Sequence, residues 1–145
     1  MAHSIRKFTT GTADYHQALQ LRTEVLRKPL GLEFTAAELE KDDADTHFGL
    51  FENDKILACL TLTETPAARM KMRQVAVESA SQGRGLGRQL SAAAEEYAHK
   101  KGFKVMFCHA RKVAAPFYLS MGYQIVGAEF SEIGIPHYLM EKKLS

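Results

Sequence analysis

The chain contains few cysteines and carries little net charge, and each shortage excludes a class of protein. Among its 145 residues only two are cysteine, Cys59 and Cys108, and they do not form a CxxC pair. Both lie in apolar stretches typical of strands, so we expect buried free thiols and no disulfide. The net charge is only +2, which gives no broad positive field. The sequence therefore predicts neither a disulfide scaffold nor a nucleic-acid or membrane partner.

Long apolar runs, linkers and repeats are also absent. No apolar run approaches the roughly 20 residues that cross a bilayer. Residues 1–10 contain no apolar signal core, which predicts a cytoplasmic protein. Without a linker or a low-complexity tract, residues 1–145 are expected to form a single domain. The six histidines show no HExxH or paired spacing, so we expect no metal.

Hydrophobic periodicity predicts an α/β fold with a mixed sheet. Apolar or alternating runs predict strands over 4–9, 47–51, 56–63, 70–77, 104–108, 123–128 and 138–142. Helical spacing predicts helices over 14–28, 35–43, 86–101 and 113–120. The resulting order, β-α-α-β-β-β-α-β-α-β-β, contains one parallel crossover through the helix at 86–101.

Local signals support several of these boundaries. Thr35 and Glu38 have the spacing of a capping box at a helix start. Asn53-Asp54 is a hairpin turn signal between two strands. On the helix that starts at Leu86, the spacing predicts an outward-facing Glu95.

A glycine-rich loop, Gln82-Gly83-Arg84-Gly85-Leu86-Gly87, leads into that helix. Glycines let the backbone approach a ligand closely, and a helix N-terminus attracts phosphate. A Walker A loop is excluded because no Lys-Ser or Lys-Thr follows the glycines. The dinucleotide fingerprint is excluded because Arg88 stands where its third glycine belongs, and residues 103–111 contain no acid.

The loop does match the pattern Gln-x-x-Gly-x-Gly, through Gln82, Gly85 and Gly87. Downstream, Phe117-Tyr118 and Gly122-Tyr123 form an FY-x-x-x-GY segment. Together these motifs resemble the GCN5-related N-acetyltransferase (GNAT) superfamily, and the chain is similar to its small, uncharacterised bacterial members. The resemblance implies the GNAT fold and an N-acetyltransferase that uses acetyl-coenzyme A (acetyl-CoA) as cosubstrate.

The resemblance also implies a set of cofactor contacts. Backbone N–H groups of the loop would hold the pyrophosphate, with charge-assisted contacts from Arg84 and Arg88. The preceding strand would pair its main chain with the pantetheine arm and aim an N–H near Val77 at the thioester oxygen. We expect the side chains of Val75 and Val77 to lie in the core. The implied cofactor-binding residues are Val75, Ala76, Val77, Gln82, Gly83, Arg84, Gly85, Leu86, Gly87, Arg88, Arg111 and Tyr118.

One position departs from the family pattern. Many relatives carry an asparagine that contacts coenzyme A near the end of the fifth strand, where this chain has His109-Ala110-Arg111-Lys112. Side-chain anchoring of the cofactor at that point is therefore in doubt. Arg111 or Lys112 would have to meet a cofactor phosphate instead.

Tyr118 matches the general acid of the family, which protonates the departing sulfur. A thiol has a pKa near 8.5 and a phenol near 10, so a neutral tyrosine can donate at pH 7. An amine acceptor must also lose a proton. Candidate bases are Glu132 and His137, in the connection over 131–137 that joins the last two strands.

Three further residues are candidates for the acceptor site: Arg22, Arg27 and Glu64. Arg22 lies within the apolar stripe of the first helix, so its head group either reaches out to water or enters the acceptor cleft. Arg27 would line the same entrance. Glu64 ends a central strand and is also a candidate base.

The acceptor itself stays open at this stage. A small-molecule amine is the favoured acceptor, because Arg22, Arg27 and Arg69 suggest an acidic substrate. The alternatives are a protein or peptide N-acetyltransferase and a non-catalytic CoA-binding sensor, and retention of Tyr118 speaks against the sensor. Use of longer acyl groups, and the choice between monomer and homodimer, also stay open.

Overall fold

The secondary structure follows the predicted order from end to end. The structure is a computed structural model, and it describes residues 3–145. Its strands and α-helices are β1 (His3–Phe8), α1 (Ala13–Arg22), α2 (Ala36–Glu40), β2 (Thr46–Glu52), β3 (Lys55–Thr65), β4 (Arg69–Val77), α3 (Leu86–Lys100), β5 (Val105–Arg111), α4 (Ala115–Ser120), β6 (Gln124–Glu132) and β7 (Ile135–Lys143). The seven strands have the order β1-β2-β3-β4-β5-β7-β6, which confirms the mixed α/β sheet.

The chain divides into two units of internal contacts. The first comprises the chain up to Thr63 together with Gln74–Ala94. The second comprises Glu64–Arg73 together with Glu95–Ser145.

The first unit contains the antiparallel pairs β1–β2 and β2–β3. Asn53 turns the chain between β2 and β3 with φ 57°, a left-handed conformation that asparagine tolerates, as the turn signal predicts. Tyr15, Ala18 and Leu21 of α1 pack on this side of the core with Phe51. These positions recur at helical spacing, so α1 covers the sheet with one apolar face.

The predicted helix over 14–28 forms, but its type changes after Arg22. The α-helix stops at Arg22 and continues as a π-helical turn over Thr23–Arg27 and a 3₁₀ turn over Lys28–Leu30. The Thr23 hydroxyl donates to the Leu19 carbonyl at 2.8 Å, a contact that competes with regular helical bonding. Proline lacks an N–H to continue the helix, and Gly31 ends it at φ 68°.

The second unit contains the parallel part of the sheet and its last hairpin. Residues 69–71 of β4 pair in parallel with residues 105–107 of β5, which confirms the predicted crossover through α3. β5 pairs antiparallel with β7, and β7 pairs antiparallel with β6.

The last connection is shorter than the sequence predicts. We expect a connection over 131–137, but β6 runs to Glu132 and β7 begins at Ile135. Ile133 and Gly134, with φ of 46° and 77°, form a two-residue turn. Such turns usually carry Asn, Asp or Gly at the first position and Gly at the second. Here only Gly134 matches, because an isoleucine with positive φ is uncommon. Glu132 and His137 therefore lie on strands.

Glu95 of α3 is more buried than its helical position predicts. Its side chain is 14% exposed and does not face outward as predicted. The Tyr123 hydroxyl and the Lys142 ammonium each donate to its carboxylate at 2.8 Å. Both partners come from the distant C-terminal part of the chain, and local helical periodicity cannot reveal them.

Both cysteines are free and buried, as predicted. Burial raises the pKa of each thiol, Cys59 and Cys108, to about 12. Among the described residues, no helix is long and apolar enough to cross a membrane.

We expect neither thiol to react with a water-soluble aromatic disulfide while the protein is folded. With a pKa of about 12, only about one thiol in 10⁴ is ionised at pH 8, and the thiolate is the nucleophile. Both should react at once when denaturant is added, as followed by absorbance of the released thiol. A Ser145→Cys variant, with its thiol at an exposed position, is the matched control and should react without denaturant. Rapid reaction of the folded wild type would contradict the burial.

Candidate active site

The glycine-rich loop of the first unit forms an open backbone turn before α3. Gly83 and Gly85 have φ of 84° and 76°, and nothing lies within 4 Å of a Cβ added at either. Gln89 donates the first bond of the helix, to the Gly85 carbonyl at 3.0 Å. The N–H groups that precede Gln89 therefore have no acceptor within the helix. Such a turn can accept an anionic group at its backbone.

Two side chains of the loop make contacts within the first unit. The Gln82 amide donates to the Val77 carbonyl at 3.2 Å and so ties the loop to the end of β4. The Arg84 guanidinium lies 3.9 Å from the Glu52 carboxylate and 3.5 Å from the ring of His3. Its side chain remains 48% exposed. Arg84 is thus held only loosely, at the surface.

β4 carries a local distortion just before its last residues. Gln74 has φ 56°, a left-handed conformation that is uncommon for a non-glycine residue inside a strand. Beyond it, Ala76 is 2% exposed, whereas Val75 and Val77 are half-buried. The expectation that both valine side chains lie in the core is wrong, because the strand places Ala76 on the buried face.

Tyr118 lies in α4, in the second unit. Pro116 lies in the first turn of α4, where its missing N–H costs no hydrogen bond. The Tyr118 side chain is buried, and its ring meets those of Phe117 and Tyr123 edge to face. Burial, with the nearby Cys108, raises the pKa of Tyr118 well above its usual value. The hydroxyl therefore stays protonated at neutral pH.

The two candidate bases come together in the second unit. Nε2 of His137 lies 3.8 Å from one oxygen of Glu132. The same carboxylate accepts a hydrogen bond at 2.9 Å from a third residue, His109 of β5. In the sequence, His109 is notable only as part of a departure from the family pattern. Its pairing depends on the register of three strands, which the sequence does not specify.

The three candidate acceptor residues all have partners. Arg22 is buried, and its guanidinium donates to Asp42 at 2.9 Å. Arg27 forms a bidentate pair with Glu38, with distances of 3.0 and 2.9 Å. Glu64 accepts from Lys101 at 2.7 Å at the surface. Arg22 does not extend its head group to water, so that interpretation is wrong.

The Arg27–Glu38 pair also completes the predicted capping box. Glu38 accepts from the Thr35 N–H, and its own N–H donates to the Thr35 hydroxyl. The hydrogen bond from Arg27 lowers the pKa of Glu38 to about 2. Phe34 lies under the Arg27 guanidinium, 4.0 Å from it.

Of the remaining candidate residues, Arg111 ends β5 and lies opposite His137 in the register of β5 and β7. Arg88 lies on the first turn of α3 and is exposed. Across residues 3–145, no group of three histidine, cysteine, aspartate or glutamate side chains is arranged to hold a metal ion.

One family model matches nearly the whole chain. The model of the acetyltransferase (GNAT) domain matches residues 15–144. The chain therefore belongs to the GNAT acetyltransferase family, and by that membership it is an acyltransferase. It is 30% identical to the uncharacterized protein YyaT of Bacillus subtilis, over 98% of this chain and 97% of the relative.

Solved structures share the fold over the whole chain. A candidate N-acetyltransferase from Lactobacillus plantarum is 29% identical, with a TM-score of 0.88 and complete coverage of both chains. An acyl-CoA N-acyltransferase from Pseudomonas aeruginosa is 23% identical, with a TM-score of 0.83 over 97% of this chain and 99% of its own. An N-acetyltransferase from Thermoplasma acidophilum, 16% identical with a TM-score of 0.77 and 99% coverage of both chains, was solved in complex with coenzyme A.

Proposed function

We propose that this enzyme transfers the acetyl group of acetyl-CoA directly to the primary amine of a small molecule. The observation that carries the proposal is the open glycine-rich loop at the start of α3, in a chain that belongs to the GNAT family. The family match over residues 15–144 supports one N-acetyltransferase domain over residues 1–145. The buried free thiols are compatible with a reducing cytoplasm, where we place the enzyme.

The loop and the end of β4 would bind the cofactor. Backbone N–H groups of residues 82–87 would hold the pyrophosphate, and Arg84, Arg88 and Arg111 would add charge. The left-handed Gln74 supports a role for residues 75–77, because it interrupts the regular strand just before them. There the main chain would pair with the pantetheine arm, and an N–H near Val77 would polarise the thioester carbonyl.

In the proposed step, the carbonyl carbon exchanges its bond to sulfur for a bond to the amine nitrogen. The ammonium first loses a proton to a base, and the neutral nitrogen attacks the thioester carbonyl. The C–N bond forms, the C–S bond breaks, and its electron pair stays on sulfur. Tyr118 gives its proton to that sulfur. The new amide nitrogen carries one excess proton, and Tyr118 takes up that proton. Cys59 and Cys108 take no part, because buried thiols of raised pKa are poor nucleophiles.

The candidate bases are Glu132 and His137, and the acceptor residues Arg22, Arg27 and Glu64 stay predictions. Each of these three already has a partner of opposite charge. An acidic acceptor group would therefore have to compete with a carboxylate for either arginine. This favours a small amine without an obligatory acidic group. A peptide acceptor and a non-catalytic sensor remain the alternatives.

Thiol release from acetyl-CoA tests the proposal. The acceptor panel should contain benzylamine, spermidine, L-lysine, kanamycin and an alanyl tripeptide. We expect release with at least one of the four small amines. Release with the tripeptide alone would favour the peptide enzyme.

Binding of acetyl-CoA provides a second measurement. At 100-fold its Kd, acetyl-CoA should stabilise the folded protein by about 2.7 kcal/mol. That corresponds to a rise in the thermal midpoint of roughly 5–10 °C. Arg84→Gln should weaken the effect, whereas Lys100→Gln, at an exposed position on the last turn of α3, should leave it unchanged. A rise in the thermal midpoint without turnover would favour the sensor. No rise at all would contradict both the enzyme and the sensor.

A further inference from the structure

A carboxylate–imidazole pair joins β5 to β6 in the second unit. Nδ1 of His109 and Oε1 of Glu132 are 2.9 Å apart. Their side chains are 30% and 45% exposed, so the pair is open to solvent and to a ligand. The ring of Phe130 lies edge to face with the His109 ring, at 5.2 Å between centroids, and limits its rotation.

The short contact determines which ring nitrogen carries the proton. An ionised carboxylate only accepts hydrogen bonds, so Nδ1 of His109 must be the donor. In the neutral ring, Nε2 then has a free lone pair. Across residues 3–145 the His109 side chain makes no hydrogen bond besides the one to Glu132. An imidazole oriented in this way by a carboxylate is a proton acceptor in position.

His137 is less suited to that role. Its Nδ1 donates to the carbonyl of Ile135 at 2.9 Å, and its side chain is only 4% exposed. Its Nε2 points to the second oxygen of Glu132, at 3.8 Å. Glu132 contacts His109 directly, and His137 contacts the same carboxylate. His137 is thus bound to the backbone and largely buried, whereas the His109 side chain is 30% exposed.

The position of His109 on its strand separates it from the candidate acid. Successive side chains of a strand point to opposite faces. Cys108 and Ala110 are buried on one face of β5, and Cys108 is close enough to Tyr118 to help raise its pKa. His109 lies between them on the other face. His109 therefore faces away from Tyr118, and the two residues would exchange protons with different atoms, the amine nitrogen and the thioester sulfur.

We propose that His109 is the proton acceptor for the attacking amine and that Glu132 is its positioning residue. The inference rests on the proposed function. Nε2 of His109 takes one proton from the ammonium, which leaves a neutral nitrogen to form the C–N bond, and the imidazolium then returns that proton to solvent. Tyr118 supplies the sulfur with its proton, as above.

Kinetics of His109→Gln test the inference, with the fastest amine of the panel as acceptor. Glutamine can still donate to Glu132 but cannot take up a proton at neutral pH. We expect kcat/KM at pH 7 to fall about 10²–10⁴-fold, with the thermal shift by acetyl-CoA unchanged. The variant can use only amine that is already neutral, so its deficit should shrink about tenfold per pH unit toward the amine pKa near 10. Added imidazole should restore part of the activity of His109→Ala.

Two further variants test whether the effect of Glu132 comes from orienting His109 or from any negative charge on β6. Glu132→Gln should lose activity by a smaller factor, about 10–100-fold, since it removes only the orienting partner. Glu129→Gln is the matched control, because Glu129 is another exposed carboxylate of β6 and pairs with Lys112 instead. It should keep wild-type turnover. A His109→Gln enzyme as active as the wild type, or a deficit independent of pH, would overturn the inference.

The ¹⁵N shifts of the His109 ring give a measurement that needs no turnover. The inference expects the Nδ1–H tautomer in the wild type and its loss in Glu132→Gln, whereas an Nε2–H tautomer in the wild type would overturn it. Failure of the proposed function is seen separately, as no thiol release by the wild type with any acceptor, and it removes the base assignment as well. Failure of the inference alone is seen as release that does not depend on His109.

Discussion

Replacement of Tyr118 by phenylalanine is expected to lower turnover about 10²–10⁴-fold. The change removes one hydroxyl and keeps the ring that packs against Phe117 and Tyr123. Stability and acetyl-CoA binding should therefore change little, and the loss should appear in kcat. The measurement is initial-rate thiol release at saturating acetyl-CoA and acceptor. Unchanged turnover would contradict a proton-donor role.

The raised pKa of Tyr118 has two consequences for this test. Burial keeps the hydroxyl protonated, so its ionisation should cause no loss of activity between pH 7 and 9. A weaker acid also donates less readily, but the thiolate that it protonates would lie in the same dry surroundings. Burial raises the pKa of the neighbouring Cys108 thiol to about 12, and a buried leaving thiolate is likewise a stronger base.

A tyrosine elsewhere in the same unit provides the control for Tyr118→Phe. Tyr97 of α3 is half-buried, and Lys101 lies over its ring at 5.6 Å. Tyr97→Phe deletes the same atom and should leave kcat at the wild-type value. An equal loss in both variants would indicate a general effect of removing a hydroxyl.

Features set by a few adjacent residues were predicted correctly from the sequence. The Thr35–Glu38 capping box and the turn at Asn53 both form as predicted. The order of strands and helices also follows, because each element carries its own period and its own boundary residues. Gly83 and Gly85 adopt the left-handed conformations that such a loop requires.

Features that depend on distant partners were not predicted. Glu95 is held by Tyr123 and Lys142, and the register of β5, β6 and β7 brings His109 to Glu132. Helical and strand periods describe which face a residue occupies, but not which side chain from another element meets it there. The acceptor is unpredictable for a related reason, since one fold carries sites for many substrates.

Replacement of Arg22 by methionine is expected to destabilise the fold by about 3–5 kcal/mol. Arg22 and Asp42 are 2% and 0% exposed, and their ion pair is 2.9 Å long. Loss of the guanidinium would leave the buried Asp42 carboxylate without its ion-pair partner, while the Tyr15 hydroxyl still donates to it at 2.6 Å. Burial and this contact raise the pKa of Tyr15 to about 12, so its hydroxyl stays neutral and does not replace the positive charge of the guanidinium. The thermal midpoint should fall by roughly 6–20 °C.

The double variant Arg22→Met with Asp42→Asn distinguishes a structural pair from a substrate-binding arginine. It removes both buried charges, and the asparagine oxygen can still accept from Tyr15, so we expect it to be more stable than either single variant. Lys100→Met, which breaks an exposed pair with Glu96, is the control and should leave the midpoint almost unchanged. If Arg22 acts only in the fold, the double variant should keep the wild-type KM for the acceptor at temperatures below the variant's thermal midpoint. A raised acceptor KM in a stably folded double variant would instead assign Arg22 to the acceptor site.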